Sequence, residues 1–499
     1  MWKEMYGKKV PYNTKPMAKE KRQRRQLSSF SILFIIIIIL GIITRLLDGQ
    51  PFTPQEVQGG TEIVDQVIGA KISDVIMSPF FGFRDALDIS VFILVLGGFL
   101  NIVTKTGTLE AGIQHIVKKF KGNESMIIVV LMLLFSIGGS TYGMAEETIP
   151  FYTLLTATMV AAGFDTMVTV GTVLLGAGSG VIGSTVNPFS TGAAMDALRG
   201  VGIEPKVNVI LIIGAVIWIT TTIFSIILVT RYAKKVQADK GSTILSIQEQ
   251  KAMEEFRKEG VTDLKLTKQH KNILWIFALT FVVMIVSLIP WPDFGITIFE
   301  GWTSVLTGNS FGEWYFGDLA MWFFIMGLII ALIDKFSEKK IINGFVEGGS
   351  EMLSVVLIIV VARGVSVLMS TTHLDLYILD QASGLLKGLS PVLFVIGSFA
   401  LYLFLSFLIP STSGLAYVSI PVMGGLASEI GLSPDVMIMI FAAGCGLINI
   451  ITPTSGVVMG GLDISRVEYA TWLKFIIKPL ILMGLMILII LIGAMLIFS

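Results

Sequence analysis

Two adjacent glutamates, Glu146 and Glu147, sit inside the apolar stretch FSIGGSTYGMAEETIPF, Phe135 to Phe151. A carboxylate at membrane depth costs roughly 2.5–3.5 kcal/mol on insertion scales, so the pair implies a protein-lined or hydrated cavity. The same stretch carries a Gly-Gly-Ser-Thr run and Pro150. Small and hydroxylated residues at a helix break expose N–H, C=O and hydroxyl groups, which membrane proteins tolerate only against protein or water. The stretch reads as the tip of a re-entrant hairpin that binds a solute. The plainer alternative is a packing kink with hydrated glutamates near a membrane surface.

The residue types suit an amino acid. Half-helix N-termini and hydroxyls donate to a carboxylate, a role open to Ser140, Thr141, Ser411, Thr412 and Ser413. Carbonyls at Asn187 and Thr452, and at their neighbours Pro188 and Thr454, can accept from an ammonium group. A guanidinium calls for a carboxylate fork, for which Glu146 and Glu147 are the candidates. Adjacent helical residues point about 100° apart, so both need not face one ligand. One glutamate can instead pair with Arg363, which lies in the apolar run Val355 to Met369. Arg363 either binds a substrate carboxylate or neutralises an intramembrane acid, and the structural role is favoured. Tyr142 and Tyr417 lie in the tips, where flanking a substrate and packing are equally open. Asp88, Asp318, Asp375 and His373 fall near predicted helix ends, where solvation accounts for them.

These residues need a membrane-embedded frame, and the composition supplies one. The chain of 499 residues is 54% hydrophobic and 14% charged, with mean hydropathy +0.81. Its apolar blocks of about 20 residues read as transmembrane helices of a polytopic, all-α membrane protein. Net charge is zero, so no electrostatic preference for nucleic acid arises. The single Cys445, a small packing residue, excludes an internal disulfide and a cysteine-based metal site. Three scattered histidines give no metal spacing, and no cofactor motif appears.

Charge orders the spans. Residues 1–29, a basic N-terminus with nine Lys/Arg and two Glu, precede the apolar block Phe30 to Leu47. That block reads as an uncleaved first helix with a cytoplasmic N-terminus in the cell membrane. Residues 48–84 read as outside and helix 2 spans about 85–104. The basic segment 105–124, with Leu109, Ile113, Ile116, Val117 and Phe120 on one face, reads as an interfacial amphipathic helix. Residues 125–163 form two apolar arms around the glutamate break. A hairpin fits that break better than two spans. Residues 165–197 form a helix broken at GSTVNPFSTG, where Pro188 removes a hydrogen bond and Asn187 is pushed from helical geometry. Helix 207–230 completes a first repeat, 30–230. Residues 231–271 are a cytoplasmic connector, and 272–317 a linking helix plus an outside loop.

The pattern returns in residues 318–499. Helices near 318–335 and 352–370 precede a hairpin, 391–430, around LIPSTSGLAY. A helix over 436–462 is broken at NIITPTSG, and a last helix spans 473–498. Each half therefore holds a Gly/Ser/Thr break and then an Asn/Thr-Pro break. Ser140 and Asn187 are 47 residues apart, and Ser411 and Thr452 are 41 apart. The charge rule has the hairpins entering from opposite sides, an inverted-topology repeat, and paired interruptions point to a transporter site. Nine spans and two hairpins leave the C-terminus outside. Ten or eleven spans remain open.

At these breaks, in GGSTYGMAEETIPFY, GAGSGVIGSTVNPFSTGAA, PSTSGLAYVSIPVMGGLA and NIITPTSGVVMGGL, the chain resembles the ion transporter superfamily of secondary carriers. More closely it resembles the YfcC-type membrane proteins, formerly labelled anaerobic C4-dicarboxylate carriers. The resemblance covers roughly residues 30–498. It implies a homodimer with a scaffold domain and an elevator-type transport domain holding both hairpins and both broken helices. Some proteins of this type exchange arginine for ornithine. Sodium-coupled dicarboxylate carriers carry Ser-Asn-Thr signatures at the tips. This chain reads Gly139-Ser140-Thr141 and Ser411-Thr412-Ser413 there.

Arginine/ornithine exchange is the leading expectation. A C4-dicarboxylate or peptide-like carrier, possibly ion-coupled, is the alternative, opposed by the repulsion of a dianion from two ionised glutamates. An intramembrane enzyme is disfavoured because no metal set, Ser/His pair or nucleotide loop appears. A channel is disfavoured because paired breaks in inverted halves suit alternating access.

Overall fold

The computed structural model describes residues 29–56, 63–109, 111–112, 125–258, 266–409 and 411–499. The basic N-terminus, 1–28, and most of the expected amphipathic helix at 105–124 lie outside the described residues.

The described residues are helical apart from one small β-hairpin. Helix α1 (Ser29–Leu46) leads to strands β1 (Pro51–Glu56) and β2 (Ile63–Gln66), which pair antiparallel. Then come α2 (Ile72–Asp85), α3 (Leu87–Lys105), α4 (Ser125–Tyr142), a 3-10 turn at Glu146–Thr148, and α5 (Ile149–Ala161). Helix α6 (Thr166–Ile182) contains a π turn. A second π turn, Pro188–Gly192, leads into α7 (Ala193–Gly200), α8 (Val207–Ala238), α9 (Ile247–Lys258) and α10 (Lys268–Leu288). The remaining helices are α11 (Phe316–Ile333), α12 (Glu338–Thr371), α13 (Leu374–Leu386), α14 (Pro391–Leu408), α15 (Thr412–Glu429), α16 (Pro434–Ile448), α17 (Gly456–Ile464) and α18 (Tyr469–Phe498). By length and composition, α3, α4, α8, α10, α11, α12, α14 and α18 can each cross a membrane.

Two bundles result. In the first, α2 and α3 lie along the 34-residue α12, with α1, α10 and α11 beside them. Asn101 of α3 donates from Nδ2 to the Gly344 carbonyl of α12 at 2.7 Å, and Lys105 pairs with Glu347. Phe99, Phe277, Phe281 and Phe323 fill the seam between α3, α10 and α11. Segment 48–84, read from charge as lying outside, contains the β-hairpin and α2. Helix α2 is amphipathic: Ser78 and Gly82 are buried, with Gly82 against α12, while Ile72, Ile76 and Phe80 face outward. Its acidic residues hid this apolar stripe.

The second bundle holds α4 to α8 and α14 to α18, built twice on one plan. Helix α4 lies along α6 as α14 lies along α16; α8 closes the first set and α18 the second. The halves then exchange partners. Helix α15 packs on α7, and α5 packs on α17. Close approach of α4 and α6 depends on glycine: a Cβ on Gly139 would lie 2.1 Å from the Ala177 carbonyl oxygen, and one on Gly180 2.1 Å from that of Ser136. In the first half α4 and α5 flank the glutamate turn, and in the second α14 and α15 flank Ser411. The long polar connector folds its first part onto this bundle. Buried Glu249 of α9 accepts from the backbone N–H of Glu468 at 2.8 Å and from Thr471 Oγ1 at 3.1 Å, at the start of α18.

Candidate substrate site

Each break ends one helix and starts another, and all four meet at one cavity. Helix α4 stops at Gly143, whose φ of +79° favours glycine, and the N–H groups of Gly143 and Met144 close the end onto Gly139 and Gly138. The turn that follows holds Glu146 and Glu147, and Pro150 then starts α5 without a missing bond. At the second break Asn187 Oδ1 accepts from Phe189 N at 3.0 Å, and Asn187 Nδ2 donates to Ser184 at 2.9 Å. Ser411 caps α15 through Gly414 N, and Ser455 caps α17 through Val458 N. Such N-termini leave N–H groups and positive dipole ends turned to whatever lies beyond them.

The cavity, of about 140 Å³, is lined from the second bundle by Gly143 to Thr148, Asn187 and Phe189, Ser411 to Ser413, and Asn449, Ile450 and Thr454 to Val457. From the first bundle come Ile89, Tyr315, Phe316, Ile359, Ala362 and Arg363. It is therefore an interface cavity. Glu147 is 3% exposed, and its Oε2 accepts from Ala145 N at 3.0 Å. Glu146 is half-buried, and no other described residue donates a hydrogen bond to its carboxylate. Arg363 Nη1 lies 3.7 Å from Asp85 Oδ2. Phe189 meets Tyr315 at 5.6 Å and stacks on Phe316 at 5.7 Å, across the two bundles.

Of the residues singled out from sequence, Glu146, Glu147, Asn187, Arg363, Ser411, Thr412, Ser413 and Thr454 line the cavity. Five more sit behind it. Ser140 is buried and donates to the Gly183 carbonyl at 3.0 Å, with Thr185 Oγ1 at 3.1 Å. Thr141 turns back to the Ile137 carbonyl of its own helix. Tyr142 is 1% exposed in the core. Pro188 opens the π turn. Thr452 donates to the Phe407 carbonyl at 3.0 Å, joined there by Thr454 at 2.7 Å. Tyr417 is exposed and away from the lining. The sequence reading passed over Phe189, Tyr315, Phe316, Asn449 and Ser455. Ser455 carried a usable signal, a serine just before an apolar helix restart. Tyr315 and Phe316 carried none, since they belong to a helix start in the other bundle.

A matched pair of tethers emerges. Ser140 and Thr185 are 45 residues apart, as are Phe407 and Thr452. In both halves the end of the hairpin's first arm is bonded to a threonine in the following break.

Comparison with known proteins finds relatives along most of the chain. The family described as C4-dicarboxylate anaerobic carrier, DcuC, matches residues 27–497. An uncharacterized protein of Haemophilus influenzae is 32% identical over 429 residues, covering 84% of this chain and 78% of the relative. A putative basic amino acid antiporter of Escherichia coli, YfcC, is 26% identical over 427 residues, covering 82% and 78%. Among solved structures, the YdaH transporter of Alcanivorax borkumensis aligns with TM-score 0.49 at 13% identity, over 94% of this chain and 98% of that one. MtrF of Neisseria gonorrhoeae aligns with TM-score 0.46 at 17% identity, over 95% of each. With the match running over residues 27–497, the chain belongs to the C4-dicarboxylate anaerobic carrier family, DcuC, a family of membrane transport proteins.

Proposed function

We propose that this carrier exchanges basic amino acids, arginine for ornithine, by movement of the second bundle against the first. The observation that carries the reading is Glu146: a carboxylate lining the cavity beside Glu147, with no hydrogen-bond donor from another of the described residues. A guanidinium or ammonium group would supply the missing donors, in charge-assisted hydrogen bonds. The rings of Phe189 and Tyr315 line the same cavity, and aromatic faces attract cations. The capped starts of α15 and α17 would take the amino acid's carboxylate. The name of the Escherichia coli relative fits this substrate class. By charge, the N-terminus is cytoplasmic and the hairpins enter from opposite sides of the cell membrane. A homodimer through the first bundle leaves the second free to move.

A dicarboxylate reading has one observation in its favour, Arg363 in the cavity wall, and the family's description agrees with it. Counterflow into proteoliposomes separates the two. Labelled arginine should be accumulated against internal arginine or ornithine, with citrulline and succinate much weaker. Accumulation of labelled succinate instead, with arginine inert, overturns the basic amino acid reading.

A further inference from the structure

The two halves put one spacing to different uses. In the first, Ser140 near the end of α4 donates to the carbonyl of Gly183, 43 residues on, at 3.0 Å. In the second, Ser406 near the end of α14 donates to Asn449, again 43 residues on, at 3.4 Å, but to the side-chain Oδ1. Gly183 and Asn449 each follow directly on the first part of a broken helix, α6 and α16. Gly183 has no room for a side chain, since a Cβ there would lie 2.2 Å from Trp218 N. Asn449 carries one, half-buried at the cavity wall.

The break itself does not use this amide. Asn187, the asparagine of the first half's break, has both ends engaged locally, with Phe189 N and Ser184. In the second break the N–H groups of Ile451 and Thr452 close on the Ile448 carbonyl, Thr452 and Thr454 hold the Phe407 carbonyl, and Ser455 caps α17. Buried Ser406 takes Asn449 by its oxygen, and no described residue accepts from Asn449 Nδ2. An amide nitrogen only donates, so its partner must be an acceptor. The acceptor an amino acid brings is its carboxylate, and a charged acceptor makes the stronger hydrogen bond. Arg363, the cation in the same wall, is already paired with Asp85.

We propose that Asn449 binds the cargo's carboxylate through Nδ2, in the cavity it shares with the starts of α15 and α17, and thereby selects amino acids over amines with the same cationic tail. Ser406 is the positioning residue that sets which end of the amide is left for the ligand. This rests on the basic amino acid reading above and adds the group that discriminates against decarboxylated cations.

The test is ligand-induced thermal stabilisation of the full chain in detergent, titrated with arginine and with agmatine, which is arginine without its carboxylate. The wild type should bind arginine far more tightly than agmatine. In Asn449→Ala the preference for arginine over agmatine should fall roughly 10- to 150-fold, the factor carried by one hydrogen bond to a charged group. Asn449→Asp keeps the size and sets carboxylate against carboxylate, so the preference should fall at least as far. Ser406→Ala leaves Asn449 in place but releases its amide, and should lower the same preference by a smaller factor, roughly 2- to 10-fold. An Asn449 that only supports the break would weaken both ligands alike. Equal weakening or an unchanged preference in Asn449→Ala overturns the proposal, and Asn449→Asp decides it in the same way if Asn449→Ala does not fold. An unchanged preference in Ser406→Ala overturns the positioning role. A wild type that binds agmatine as tightly as arginine also overturns the proposal. Stabilisation of the wild type by succinate and by neither cation is a separate failure, that of the functional reading.

Discussion

The two hairpins share a framework and differ in what their tips present. In each, the end of the first arm is bonded to a threonine 45 residues on. In each, the second arm packs on the short helix beyond the other half's break. The first tip then offers two carboxylates on a 3-10 turn. The second offers Ser411, Thr412 and Ser413 at the start of a long helix, with no ionisable side chain among them. One repeat thus presents negative charge, and its counterpart presents hydroxyls and helix N–H groups. A zwitterion with a basic tail needs both kinds of surface, so duplication of the frame with divergence of the tips suits such a ligand.

The framework can be broken in one half more readily than in the other. Gly180→Ala would put a methyl 2.1 Å from the Ser136 carbonyl oxygen and 2.6 Å from Ser140 N. Backbone cannot step aside, so a loss at or above the usual 1–3 kcal/mol of overpacking is expected. The corresponding seam of the second half has Gly444, whose Cβ would meet the Tyr402 side chain at 2.9 Å. Thermal unfolding in detergent should show a large drop for Gly180→Ala and a smaller one for Gly444→Ala. Equal drops would mean that the two seams are not differently packed.

Next comes the charge difference between the tips. Glu146→Gln keeps size and removes charge assistance, which contributes about 1.5–3 kcal/mol, or roughly 10- to 150-fold in affinity. Competition binding should weaken for arginine and ornithine and stay nearly level for citrulline. Equal weakening of all three returns Glu146 to a structural role.

At the second tip, Ser411→Ala removes the cap of α15, worth about 0.5–2 kcal/mol. It should weaken arginine and citrulline alike, since both carry the carboxylate. Selective weakening of arginine would reverse the assignment of the tips.

The smallest expected effect crosses the bundles. Phe189→Leu keeps an apolar side chain but removes stacking on Phe316, worth about 0.5–1.5 kcal/mol. Exchange rates should shift by no more than about tenfold, with binding of all solutes nearly unaltered. A selective loss of cationic solutes would show that the ring acts on the ligand as well as on the interface.

The glutamate pair, the four interruptions and their pairing were legible in the sequence because each violates a strong rule. Apolar spans exclude adjacent carboxylates, and helices exclude Asn-Pro and Gly-Ser-Thr runs. Hydroxyl direction was not legible. Ser140, Thr141 and Thr452 look like tip ligands in one dimension, yet each satisfies a carbonyl behind the cavity. A hydroxyl takes the nearest unsatisfied acceptor, and only the packed backbone fixes which one that is. Nor was the far wall legible. Arg363 was visible as a charge in an apolar run, but its partner Asp85 lies 278 positions away, and Tyr315 and Phe316 carry no local mark of their place. Sequence pattern records what each segment must bury or break. Which segments share a cavity is decided by how two bundles pack, a relation among residues hundreds of positions apart.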